Sequence, residues 1–463
     1  MTVFRLAPAL LLLVGAAAAA APLEGRLELT WGDPDPASGS AAQFRATLVD
    51  DAGLRYALDP QQARLGAGDL YALAGRRVAV ELGTPATPQG LAVEAVVAAD
   101  APRDVQPAVA GTTVWATLLC KFADIATEQK PQSFFTGQYG NNPGQLDHYW
   151  REVSYNKINL TGSAAYGWFT LPQPRSFYIP SGGSANLNQL FDDCTAAANA
   201  TVNFAANGGL QGINMMFNGD LDGYAWGGGR CATLDGINKC WSSTWNPPWS
   251  FNNSAPLCHE MGHGYGLPHA NNSDGDTDPY DNPWDVMSDA WDNATTDTTY
   301  GVTAKHLSIW SRDKLAFVDA ARKLTISADG AYANLLLDRA SLVGSTNRQM
   351  IVVRVAGDPT TKYYTVEARK RSGKYEANLA GDAVIIHAVD TTRQEPAWSV
   401  DATAPPATTS NNEGSMFKVG ESWTAPANGF RISVDAATAE GFRVSITRGN
   451  VASDTLFRNG FQP

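Results

Sequence analysis

Apolar and polar residues alternate through the first hundred positions. The segments GRLELTW (25–31), AAQFRATLVD (41–50), GLRYALD (53–59), RRVAVELG (76–83) and GLAVEAVVAA (90–99) each read as a short strand, with turn residues between them. Residues 22–103 therefore predict a small all-β domain, barrel or sandwich. The period then changes. TVWATLLCKF (113–122) is a continuous apolar run suited to a buried strand, and GQLDHYWREVSYNKI (144–158) carries Leu146, Trp150 and Val153 on one helical face. ANLNQLFDDCTAAANATVNFA (185–205) predicts a second helix, GINMMFNG (212–219) another strand, and TAKHLSIWSRDKLAFV (303–318) a further helix. Strands and helices in alternation imply a mixed α/β (α+β) region over residues 112–320. Beyond it KLTIS, ANLLL, QMIVVRVA, KYYTVEAR, DAVIIHAV, RISVDA and FRVSIT restore the strand pattern, so residues 322–450 predict a β-sandwich, followed by a tail over 451–463.

The N-terminus adds an address. MTVFRLAPALLLLVGAAAAAA (1–21) has a basic residue at Arg5, an apolar run from Leu6 to Val14, and alanines suited to signal-peptidase cleavage near Ala20 or Ala21. That run is too short for a bilayer, and no later segment reaches the roughly 20 apolar residues of a transmembrane helix. A secreted protein, extracellular or periplasmic, is expected. The net charge of −12 argues against nucleic acid or an anionic membrane as partner. Of the five cysteines, all central, an oxidising compartment would pair four. Cys231 and Cys240 are the favoured pair, across a short polar, Gly-containing loop. Cys258 either bridges to Cys120 or Cys194 or stays a buried thiol. APRDVQPAVAG (101–111) reads as a linker and processing site.

The chemistry is concentrated in CHEMGHGYGLPH (258–269), which holds three of the six histidines. Histidines four apart share one face of a helix, so His259 and His263 can converge on one ion. Gly266 lets the helix stop and the chain turn back, bringing His269 as a third ligand. Three protein ligands leave a fourth zinc position for water, and Glu260, beside the first ligand, is placed to take that water's proton. HExxH alone also occurs in ordinary helices; the longer pattern with Gly266 and His269 in register is far harder to reach by chance.

The segment resembles the active site of the metzincin zinc endopeptidases. That resemblance implies His259, His263 and His269 as zinc ligands, Glu260 as general base, and Met287 of WDVMSDA as the support beneath the metal. It also implies a secreted zinc metalloendopeptidase that hydrolyses peptide bonds of extracellular proteins through a zinc-bound water activated by Glu260. Ala270, directly after the third histidine, departs from the better-known branches. Asp289 stands where astacin-like and serralysin-like members carry a tyrosine ligand. NGDLDGYAWGG (218–228) brings the chain nearest to gametolysin-like metzincins, in which the strand around Tyr224–Gly228 would be the sheet edge that receives an extended substrate. The N-terminal strands resemble the OB-like module that precedes some of those domains. A propeptide cysteine silences many members of the clan, but no cysteine precedes Cys120. An inhibitory N-terminal segment would have to act through another contact.

Asp274, Asp276, Asp278 and Asp281, in NNSDGDTDPYDNPWD (271–285), are hard oxygen donors and candidate calcium ligands. A solvated acidic loop, or a rim favouring basic substrates, is the alternative. His148, His306 and His387 read as structural rather than ligating. Arg369, Lys370, Arg371 and Lys374 read as a solvated basic face. Two rival functions stay open: a zinc-bearing adhesin or carbohydrate-binding protein with a vestigial peptidase domain, and a zinc hydrolase acting on a non-peptide bond.

Overall fold

A computed structural model describes residues 21–99, 109–403, 413–426 and 429–449. The segment read as a signal peptide up to Ala20, most of the linker, part of the 402–414 loop and the tail lie outside the described residues. The fold is mixed α+β and mostly sheet. In the central sheet, Gly212–Phe217 pairs in parallel with Ile237–Asn246 and with Trp115–Lys121, which in turn pairs in parallel with Ala164–Thr170. Ile237–Asn246 turns back on the antiparallel rim strand Tyr224–Leu234.

Alternation along these strands builds two cores. Trp115 and Leu119 point to the face that packs the helices Leu146–Val153 and Ser254–Gly264, while Leu118 and Cys120 point to the face that packs the helix Leu187–Ala198. Met216 joins the first core and Met215 the second. Covered on both sides, the strand Trp115–Lys121 is apolar on both faces, and its one buried polar side chain, Thr117, is bonded to Tyr139 Oη at 2.7 Å. A Cys120–Cys194 disulfide ties the strand to the helix that covers it, and Cys231–Cys240 joins paired residues of the hairpin. Cys258 forms neither proposed bridge and stays a buried free thiol.

The N-terminal strands continue this sheet. Leu23–Pro34 pairs with Gln43–Val49 and Arg77–Leu82, and its far end pairs antiparallel with the rim strand. These strands keep a core of their own around Leu27, Leu48, Val78 and Val96. A helix, Pro60–Ala67, was not expected from the pattern; Asp59 caps it, accepting from Gln62 N, and Pro60 opens it.

After the histidine segment, two-residue strand Asn271–Asn272 joins the C-terminal six-stranded sheet through Ala397–Ser399. A four-stranded antiparallel sheet packs against that sheet across a shared core that includes Ile351, Ile386, Ile432 and Val444. The expected helix over 303–318 is confined to Ile309–Lys314. Tertiary bonds take the first carbonyls: that of Lys305 accepts from Tyr149 Oη and that of His306 from Val286 N, and the Ser308 side chain then caps the helix on Ser311 N. Arg369 also departs from expectation. Its guanidinium is fully buried, 2.5 Å from Glu376 and donating to the Trp284 carbonyl at 2.5 Å, instead of lying on a solvated face. No described helix is long and apolar enough to cross a membrane.

Candidate metal centre

His259, Glu260 and His263 lie on the helix Ser254–Gly264, buried along its whole inner length. The helix ends as the sequence requires. Gly266 has φ of +93°, and bonds from Gly266 N to His263 O and from Leu267 N to Gly262 O close the terminus in a Schellman motif. The chain then reverses and delivers His269. His263 Nε2 lies 3.1 Å from His259 Nε2 and 3.2 Å from His269 Nε2. His259 Nδ1 donates to the Val286 carbonyl at 2.6 Å and His263 Nδ1 to the Leu267 carbonyl at 2.7 Å. A carbonyl only accepts, so these bonds fix the proton on Nδ1 and turn the Nε2 lone pairs towards each other. Lone pairs at such distances repel unless a cation lies among them. The residues therefore fit a metal ion.

Met287 sits below, fully buried, in a turn closed by Ser288 N to Asp285 O and braced by Met287 N to Asp285 Oδ1. The same turn supplies the Val286 carbonyl that orients His259, and Ala270 N donates to Met287 O. Glu260 is 1% exposed, and its Oε2 has no hydrogen-bond partner. Burial, then the neighbouring Asp33 charge, pushes its carboxyl well above the ordinary range. Burial also drives His263 down to about 3, so its imidazole is neutral.

Three further residues were not anticipated. Asp33, at the end of the N-terminal strand, places Oδ1 2.7 Å from His269 Nε2 and 3.3 Å from His259 Nε2, with Oδ2 3.4 Å from His263 Nε2. Burial would raise its carboxyl, but His269 and His259 outweigh that and hold it well below the usual range. Trp31 stacks on His263, with ring centroids 4.6 Å apart and planes 5° from parallel. Tyr280 donates to Asp33 Oδ1 at 2.7 Å. Asp33, His259, His263 and His269 together could hold a metal ion. Nothing local marks Asp33 or Tyr280 in the sequence, because both reach the centre through tertiary pairing. A cavity of about 490 Å³ opens beside the centre, lined by Asp33, Trp249, His259, Glu260, Tyr280 and Trp291.

The other assignments divide. The Tyr224–Gly228 segment is a strand, but the edge expected to be open is covered by Leu23–Pro34. Asp289 turns away from the centre and pairs with the buried Lys305 at 2.7 Å. Asp274, Asp276 and Asp281 gather within 4.8 Å of one another; Asp278 does not join them, its Oδ1 capping Tyr280 N instead. His148 contacts Tyr375 Oη. His306 lies between Glu152 and Glu376, and His387 is buried near Glu367, which fits structural roles for all three. Compared with known proteins, the chain matches no family model and no curated sequence.

Proposed function

We propose that the chain is a secreted zinc endopeptidase of the metzincin type, nearest to gametolysin-like members. The observation that carries this reading is the convergence of three imidazole Nε2 atoms beside the buried carboxyl of Glu260, whose Oε2 has no hydrogen-bond partner. His259, His263 and His269 would hold the metal. When bound, zinc supplies Lewis acidity that polarises a peptide carbonyl and acidifies water. The chain's own groups do the rest. With a cation at the histidines to favour its charged form, Glu260 takes the proton from the attacking water and passes it to the leaving nitrogen, burial having raised its affinity for that proton. Once the rim strand's edge is freed of Leu23–Pro34, a peptide aligned along it by backbone hydrogen bonds would place its scissile bond beside the histidines. The Met287 turn holds His259 in its tautomer through the Val286 carbonyl. The two disulfides suit an oxidising, extracytoplasmic compartment. The N-terminal strands, with a helix between the third and fourth, support the OB-like reading of that module.

Replacing Glu260 by Gln tests the reading: bound zinc should persist while hydrolysis of unfolded protein is lost. Retained zinc with no cleavage by a chain carrying Glu260 would favour the adhesin. Cleavage of an ester but of no peptide would favour the non-peptide hydrolase.

The acidic group is a second metal site in this proposal, for calcium. Asp281 is 7% exposed with its Oδ2 unpartnered, and Asp274 Oδ2 is likewise buried and unpartnered. Two buried carboxyl oxygens without donors call for a cation or a proton, and an all-oxygen set suits a hard cation.

A further inference from the structure

We propose that Asp33 is a fourth protein donor at this metal and that the strand Leu23–Pro34 is an inhibitor built into the chain, occupying the substrate's place on the rim strand. This rests on the peptidase reading of the histidine centre. The strand runs antiparallel to the rim in the register Thr30 with Gly228 to Pro34 with Tyr224, so it uses the backbone groups that an incoming peptide would pair with. Residues two apart share a strand face, and Trp31 and Asp33 both point at the histidines. Trp31 covers His263, and Asp33 is 7% exposed among the three Nε2 atoms.

The bonding here is unbalanced without a cation. With His259 and His263 neutral, each spends its one ring proton on a carbonyl, and a carboxylate only accepts, so acceptors face acceptors at 3.3 Å and 3.4 Å. Asp33 Oδ2 is buried with no hydrogen bond. A metal ion satisfies all of these at once, and a carboxylate in the fourth position leaves none for water. What the strand offers the centre is a side-chain carboxylate rather than a peptide carbonyl, so nothing scissile is presented.

The plug is also anchored. Its strand pairs on its other edge with Gln43–Val49, and Glu28 accepts from Cys231 N at 2.8 Å. Tyr71 Oη donates to the Gln394 carbonyl at 2.7 Å, Thr391 Oγ1 to the Gly68 carbonyl at 2.7 Å, and Lys314 pairs with Asp69 at 3.1 Å. Release therefore requires the N-terminal strands to leave together.

The test uses the full zinc-loaded chain as wild type, Asp33→Ala and Asp33→Asn, with acetohydroxamate as a probe of an open metal position. An intramolecular donor competes as if at millimolar or higher concentration, so acetohydroxamate should bind Asp33→Ala about 100-fold more tightly than wild type. With cobalt in place of zinc, the visible spectrum of Asp33→Ala should shift on adding the probe and that of wild type should not. Asp33→Asn keeps the side-chain volume and guards against misfolding; it should also bind the probe more tightly and lose zinc to a chelator faster than wild type. Equal probe binding by wild type and the variants, each holding one zinc, would overturn the plug and leave the peptidase reading intact. No zinc in any of the chains would overturn both.

Discussion

Gly262 and Met287 approach so closely that a Cβ on the first would overlap the sulfur of the second. Glycine inside a helix costs about 1 kcal/mol relative to alanine, so on propensity alone Gly262→Ala should stabilise the protein. Overpacking a buried contact costs about 1–3 kcal/mol, and the methionine is held by the turn that also orients His259. We expect a net loss of up to about 2 kcal/mol in denaturant unfolding. Unchanged or increased stability would show that Met287 can move aside.

Arg369 is buried against Glu376 and Glu367, and it donates to the Trp284 carbonyl just before the methionine turn. Arg369→Ala removes the nearest cation from two buried carboxyl groups. The expected cost is about 3–5 kcal/mol, measured by chemical unfolding. A loss below about 1 kcal/mol would mean that these charges are solvated or neutral.

Cys258 lies in the core beside the first candidate ligand, and burial pushes its thiol well above the usual range. A thiol reagent should find no reactive group in the native protein and one per chain after unfolding without reductant. Rapid native labelling, or no thiol after unfolding, would contradict the pairing described above.

Asp281 gives the acidic site a pH signature. Burial, then Asp274, Asp278 and Asp276, raise its carboxyl from 3.8 to about 8 in the calcium-free chain. A raised acid binds its proton more tightly folded than unfolded, so its contribution to stability is complete below pH 3.8 and is lost as pH rises towards about 8. If calcium binds there as proposed, it would reverse that loss by compensating the carboxylate. The rise in melting temperature on adding calcium should therefore be larger at pH 8 than at pH 5, and Asp281→Asn should reduce it. A calcium shift independent of both pH and Asp281 would place the ion elsewhere.

Local pattern carried much of this molecule and tertiary pairing carried the rest. The ligand spacing, the stop at Gly266 and the strands of both flanking regions follow from periodicity and glycine chemistry within a few residues of one another. The burial of Arg369 does not, because its partners come from other segments. Nor does the late start of the helix expected over 303–318, whose first carbonyls are taken by Tyr149 and Val286. Asp33 is the clearest case. It lies 236 residues from His269 in a strand whose alternation looks ordinary, and only the continuation of that strand onto the rim brings it to the centre.

The most direct measurement compares cleavage of an unfolded protein by zinc-loaded wild type and Asp33→Ala with that by the same two chains carrying Glu260→Ala. We expect one zinc in each chain, cleavage that is fastest in Asp33→Ala, and a fall of about 100-fold or more when Glu260 is removed. Equal cleavage with and without Glu260, or none by any zinc-loaded chain that retains it, would contradict the peptidase assignment.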